Sequence, residues 1–142
     1  MIDILEEVTK IQDNVFESAV NVTNWLLMSE IGELLNGNIK AEYNEFRRIE
    51  FKLSRRMGNT TIAGRLMHHF DNAFFFTYNV CMAESFSKEF GINRKRVFSI
   101  RSENKISGLR FDVAIVDPAS MISKSLIEGL YYYRPKAIIL LG

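Results

Sequence analysis

Short apolar segments alternate with longer amphipathic segments from residue 49 to the last residue, and this alternation constrains the fold more than any other feature. It predicts strands over 49–53, 73–78, 96–100, 111–117 and 136–141, with helices over 60–70, 80–90 and 120–133. Strands that alternate with helices of ten to fourteen residues favour a parallel sheet covered on both faces. We therefore predict an α/β fold of three layers with a mostly parallel sheet.

The first third of the chain has a different character and predicts helices alone. Apolar residues recur at spacings of three and four over 2–20, which is typical of an amphipathic helix. A second helix is expected from a cap at Asn21 or Thr23 to Leu35, where Asn36-Gly37-Asn38 ends it, and then a charged helix or loop over 40–48. The predicted organisation is a helical N-terminal extension, residues 1–48, followed by an α/β core, residues 49–142.

Composition narrows the class of protein. The chain has 142 residues, of which 47% are hydrophobic and 25% charged, as expected for one globular domain and not for a disordered chain. No apolar run approaches the ~20 residues that cross a bilayer, and acidic residues stand where a signal peptide carries bases. The single cysteine, Cys81, excludes an internal disulfide and a cysteine metal cluster. We expect an intracellular protein without membrane contact.

The charges are divided unevenly between the two parts. Residues 1–49 hold nine acidic and four basic side chains, whereas residues 50–142 hold eight acidic and 14 basic ones. Such a division favours a protein partner for the acidic helices and a nucleic-acid or phosphate ligand for the basic half. For DNA, the candidate residues are Arg94, Lys95 and Arg96, and the alternative interpretation of this cluster is a solvated loop.

The segment 53–61, LSRRMGNTT, has the layout of a phosphate-binding loop: a strand, a polar loop, a glycine, a polar pair and a helix. Such loops wrap phosphates with backbone N–H groups at a helix N-terminus. Against G-x-x-x-x-G-K-[ST], Gly58 and Thr60 fit, while Leu53 replaces the first glycine and Asn59 the lysine. A strand, turn and helix with a capping threonine explain the segment equally well.

A second acidic position follows downstream, where an apolar strand ends at Asp117. A carboxylate at the end of such a strand orders Mg²⁺ in nucleotide-hydrolysing enzymes. We expect the loop to lie beside this strand at the centre of the sheet. The alternative interpretation is that Asp117, which precedes Pro118, forms a turn.

Together these motifs identify a resemblance. From Phe51 to Gly142 the chain resembles the nucleotide-binding core of P-loop ATPases of the helicase and phage large-terminase type, over about two-thirds of its length. The loop of that group often reads S-R-x-x-G-K-T-T, which is matched here by Ser54, Arg55, Gly58, Thr60 and Thr61. Its acidic strand often reads G-x-R-F-D-x-x-x-x-D-E-A, which is matched by Gly108, Arg110, Phe111, Asp112, Asp117 and Ala119.

The resemblance implies a P-loop fold, a set of ligand-binding residues and two departures from the family. It implies that ATP binds at Ser54, Arg55, Arg56, Met57, Gly58, Asn59, Thr60 and Thr61, that Mg²⁺ binds at Thr60 and Asp117, and that Arg55 acts on the γ-phosphate. The departures are Asn59 in place of the lysine and Pro118 in place of the glutamate that polarises the attacking water. Arg56 is the candidate to replace part of the lysine's charge.

Three hypotheses for function follow. The first is a phage-type, degenerate ATPase-like protein that associates with nucleotide or DNA and has weak or no hydrolysis. The second is an active but divergent ATPase, the core of a terminase-like or helicase-like DNA motor. The third is a structural or virion scaffold that keeps the fold without nucleotide and joins partners through its acidic N-terminal helices.

Overall fold

Five parallel strands form one sheet at the centre of the molecule. The computed structural model describes residues 3–54, 57–101, 108 and 110–142. The strands are β1 (Arg48–Phe51), β2 (Ala73–Thr77), β3 (Val97–Ser99), β4 (Val113–Val116) and β5 (Ala137–Leu141), and their order across the sheet is β1-β5-β4-β2-β3. Every pairing is parallel, which confirms the predicted α/β class and the mostly parallel sheet.

Helices cover both faces of this sheet. They are α1 (Ile4–Leu27), α2 (Ile39–Glu42), α3 (Asn59–His69), α4 (Val80–Phe90) and α5 (Lys124–Gly129), with a π-helical turn at Tyr43–Arg47 and 3₁₀ turns at Arg94–Arg96, Ala119–Met121 and Leu130–Tyr133. One apolar cluster joins the sheet to α1, α3 and α4, and another joins its opposite face to α5 and the turns beside it. The predicted three layers are therefore present.

Strand β4 illustrates how the sheet is buried. Val113 and Ile115 belong to the cluster beneath α1, α3 and α4, whereas Ala114 and Val116 belong to the other cluster. Successive side chains of a strand point to opposite faces, so a strand covered on both sides is apolar throughout. This is why β4 and β5 appear in the sequence as continuous apolar runs.

The prediction of two helices before residue 36 is wrong, because α1 is one continuous helix of 24 residues. Asn21 and Thr23 lie inside it, and Thr23 is fully buried. These residues lower helix propensity by only ~0.5 kcal/mol each. Val15, Ala19 and Leu26 lie along one buried side of the helix, and their burial outweighs the low helix propensity of Asn21 and Thr23.

The predicted continuation of the second helix to Leu35 is also wrong. After α1 the chain forms turns, and the backbone N–H groups of Gly32, Leu34 and Leu35 donate to the carboxylate of Glu42 at 2.9–3.3 Å. A carboxylate that accepts these groups stabilises a turn, since a helix would direct them to its own carbonyls. The charged segment 40–48 becomes α2, the π-helical turn and the first residue of β1.

The predicted helix over 120–133 is shorter than expected. Ser123 has extended backbone angles and its side chain accepts from the N–H of Leu126, so it begins α5 as an N-cap. A 3₁₀ turn lies before α5 and another after it. From residue 49 onward, the ends of the other predicted helices and strands lie within two residues of the observed ones, and the helix predicted over 80–90 coincides with α4.

Candidate functional site

A cleft of about 1280 Å³ lies at the carboxyl ends of β1, β4 and β5. Residues that follow these strands line it, together with the start of α3 and the segment before α5. In open parallel sheets the ligand crevice lies outside the carboxyl ends of the strands. The cleft therefore has the position of a ligand site, and the predicted loop forms part of its wall.

The loop turns sharply into α3. The N–H of Met57 donates to the carbonyl of Ser54 at 3.0 Å, and Gly58 takes the left-handed conformation with φ +76°. Gly58 is the N-cap residue of α3 and has no side chain to accept from the first N–H groups of the helix. Those groups and the positive end of the helix dipole favour an anion at this point.

Thr60 and Asp117 contact each other in the cleft. The Thr60 Oγ1 donates to the Asp117 Oδ2 at 3.0 Å, although 57 positions separate the two residues in the sequence. Strand β4 lies at the centre of the sheet as expected, but β1 lies at the edge and β5 separates them. The first turn of α3, rather than a neighbouring strand, brings the loop to Asp117.

The carboxyl group of Asp117 has one hydrogen-bond donor, the Thr60 hydroxyl, among the residues that the structure describes. It is only 6% exposed, and burial raises its pKa above the ordinary value, an effect that the hydrogen bond from Thr60 partly offsets. Within the described ranges, no three His, Cys, Asp or Glu side chains lie close enough together to hold a metal. One carboxylate and one hydroxyl can still contribute to a Mg²⁺ site, because this ion keeps several waters and binds ligand phosphates.

Asn59 stabilises the loop from inside. Its Nδ2 donates to the carbonyls of Leu53 and Ser54 at 3.3 and 3.2 Å. The residue is 6% exposed, and its Oδ1 is shielded from solvent with no hydrogen-bond partner among the residues that the structure describes. Asn59 therefore holds the loop closed on itself and contributes no positive charge to the cleft.

Two lysines also line the cleft, and sequence reasoning missed both. Lys52 lies between β1 and the loop, and Lys124 is the first residue of α5. Lys52 could have been found from the sequence, because it stands directly before the loop. Lys124 could not, because only the path of the folded chain brings it to the cleft.

The other residues predicted for the loop have different positions. Thr61 is exposed in the first turn of α3. The roles predicted for Arg55 and Arg56 lie outside the described residues.

The predicted nucleic-acid residues lie at the other edge of the sheet, before β3. The guanidinium of Arg96 donates to the carbonyls of Met67, Phe70 and Ala73 at 2.8–3.1 Å, and burial lowers its pKa. Arg94 donates to its neighbour Val97, while Lys95 is exposed. Two of the three cations thus bind backbone carbonyls, and DNA binding stays a prediction that depends mainly on Lys95.

No family model matches the chain, and neither a curated protein nor a solved structure matches it. Among the described residues, no helix is long and apolar enough to cross a membrane.

Proposed function

We propose that this chain is a nucleotide-binding module of the P-loop type with weak or no hydrolysis. In this proposal the loop 54–61 holds the phosphates of ATP, and Thr60 and Asp117 hold Mg²⁺. The observation that carries the proposal is the hydrogen bond between Thr60 and Asp117 at the mouth of the cleft. A hydroxyl at a helix N-terminus beside a buried carboxylate is the pair that orders Mg²⁺ on a bound nucleotide.

Charge and volume at the cleft support a phosphate-bearing ligand. The uncapped N-terminus of α3 favours an anion, and Lys52 and Lys124 add positive charge to the rim. Ligand clefts of about 300–1,000 Å³ accept a drug-sized molecule. The observed volume of about 1280 Å³ therefore leaves room for a nucleotide.

Two residues support weak or absent hydrolysis. Asn59 uses its amide on the loop carbonyls, so it does not replace the charge of a lysine on the β- and γ-phosphates. Pro118 lines the cleft where the resemblance expects a glutamate, and its side chain has no acceptor for a proton. Loss of a positioned base lowers the rate ~10²–10⁴-fold.

Calorimetric titration with ATP, with and without Mg²⁺, tests the proposal. Wild type should bind ATP more tightly with Mg²⁺, while Thr60→Ala and Asp117→Asn should each lose that dependence. Ser18→Ala, an exposed serine of α1, is the control and should bind as wild type does.

The same samples separate the other hypotheses. Steady hydrolysis by wild type that Thr60→Ala abolishes would replace this proposal with an active ATPase. Absence of binding in every condition would remove both nucleotide hypotheses and leave the scaffold. Asn59→Lys should increase the affinity for ATP, because it restores a cation at the position of the lysine.

A further inference from the structure

A residue of the N-terminal helix contacts the loop directly. The Gln12 Nε2 donates to the carbonyl of Met57 at 3.1 Å. A Cβ atom built on Gly58 would lie 2.0 Å from the same Nε2 and 3.2 Å from the Gln12 Cδ. The end of the Gln12 side chain therefore fills the space beside the α-carbon of Gly58.

Gln12 is held in place by the packing of α1 on α3. One residue further along, the Asp13 Oδ1 accepts from the Arg65 Nη1 at 2.8 Å. The guanidinium of Arg65 also lies 4.2 Å from the centre of the Phe16 ring. Together with the buried Val15, these contacts fix the turn of α1 that carries Gln12 relative to the start of α3.

The hydrogen bond from Gln12 also orients a peptide group. A peptide is planar and trans, so its C=O and N–H point in opposite directions. Because Gln12 draws the carbonyl of Met57 toward α1, the N–H of Gly58 in the same peptide points away from α1. A phosphate-binding loop needs its N–H groups turned toward the anion and away from the packed helix.

We propose that Gln12 is a positioning residue of the candidate site, which presets the N–H of Gly58 for a phosphate of the bound nucleotide. The inference depends on the proposed function, since it assigns part of that function to a segment outside the family resemblance. It gives α1 a role in supporting the loop from behind, in addition to covering the sheet, although none of the described residues that line the cleft belongs to α1.

Pyrophosphate is the probe for the test, because it carries the phosphate chemistry without a base or sugar. The full chain is titrated with Mg²⁺ and pyrophosphate as wild type and as Gln12→Met, which keeps the length of the side chain and removes the donor. Loss of one preset donor should weaken binding about fivefold. Asn14→Met, at an exposed position of the same helix, is the control and should bind as wild type does.

Nuclear magnetic resonance provides a readout that a purely structural role would not change. The amide signal of Gly58 should shift when pyrophosphate binds to wild type and should shift less in Gln12→Met. If Gln12→Met does not fold, Gln12→Leu also removes the donor without adding a charge, and the same loss is expected.

Two results would overturn the inference and can be told apart. If wild type and Gln12→Met bind pyrophosphate equally, or if the variant binds more tightly, Gln12 does not position the loop for phosphate and the proposed function still stands. If wild type binds neither pyrophosphate nor ATP, the proposed function fails and this inference fails with it.

Discussion

Two buried carboxylates in this molecule have opposite surroundings. Glu42 is fully buried, accepts three backbone N–H groups and pairs with Arg47 at 2.5 Å. Burial alone would raise its pKa, but the hydrogen bonds from Gly32 and Arg47 outweigh burial and hold the pKa below the ordinary value. Asp117 is nearly as buried, has the Thr60 hydroxyl as its one hydrogen-bond donor within the described ranges, and has a raised pKa.

The residues around each carboxylate show the same contrast. Arg47 donates to the carbonyls of Glu30 and Lys136 and to the Ser29 hydroxyl, so it joins the turns after α1 to the start of β5. Asn59, close to Asp117, has a buried oxygen without a donor among the described residues. The comparison indicates that Glu42 maintains the fold. Among the described residues, Asp117 has fewer compensating partners than Glu42, and we predict that a bound cation supplies the rest.

The largest expected effect is on the compensated pair. Arg47→Ala leaves Glu42 buried without its cation and should lower the free energy of unfolding by about 3–5 kcal/mol, measured by urea denaturation. Glu45→Ala, at an exposed position of the same turn, is the control and should change the free energy of unfolding by less than ~0.5 kcal/mol. A loss below ~1 kcal/mol for Arg47→Ala would show that the pair does not maintain the fold.

The matched amide substitutions should have effects of opposite sign. Asp117→Asn removes a poorly compensated charge and keeps an oxygen that accepts from Thr60, so the free protein should become more stable by ~1 kcal/mol. Glu42→Gln should destabilise the protein, because it removes the charge that Arg47 and the three N–H groups compensate. Thermal and urea denaturation of both variants without ligand measure the difference, and destabilisation by Asp117→Asn would contradict the comparison.

The dependence on pH should separate the same two groups. The contribution of Glu42 to stability is fully present above its ordinary pKa of 4.5. It is lost as the pH falls through the lowered pKa that Glu42 has in the folded protein. Asp117 has the opposite effect. Stability decreases as the pH rises from its ordinary pKa of 3.8 through the raised pKa that it has in the folded protein. Urea denaturation at several pH values gives the free energy of unfolding of wild type and of each amide variant. The difference between wild type and variant, plotted against pH, should have slopes of opposite sign for Glu42 and Asp117, and equal slopes would contradict this assignment.

The last predictions concern two cations at the amino end of the sheet, and the smallest expected effect is that of Lys95. Arg96→Ala leaves three carbonyls without their donor and should destabilise the protein by ~1–3 kcal/mol. Lys95→Ala should leave stability within ~0.5 kcal/mol of wild type and should reduce the salt dependence of any DNA binding by about one unit of slope. Urea denaturation and DNA titrations at several salt concentrations measure both. An unchanged slope in Lys95→Ala would remove this residue from the predicted DNA contact.

Most of the sheet could be predicted because its strands are buried on both faces, and therefore read as apolar runs such as 137–141. The single helix α1 was missed because Asn21 and Thr23 resemble a cap, whereas tertiary burial of their neighbours decides the outcome. The Glu42–Arg47 pair could not be predicted, since a charged segment ordinarily indicates a solvated surface. Its burial depends on the turns after α1 and on the residue before β5, whose backbone groups contact the two side chains.

The candidate site was predicted in part. Thr60 and Asp117 were grouped by the family resemblance, and the structure brings them into contact, but their role toward Mg²⁺ stays a prediction. Gln12 was not singled out because one glutamine on an amphipathic helix has no distinctive sequence signal. Lys124 was missed for a similar reason, because only the path of the folded chain brings it to the cleft.

The most direct test of the central claim is the affinity for ATP as a function of Mg²⁺ concentration in wild type and in Asp117→Asn. If Asp117 is the poorly compensated carboxylate that a cation completes, Mg²⁺ will tighten ATP binding to wild type and will have no such effect on the variant. Equal dependence on Mg²⁺ in the two proteins, or no ATP binding to wild type, would contradict the claim.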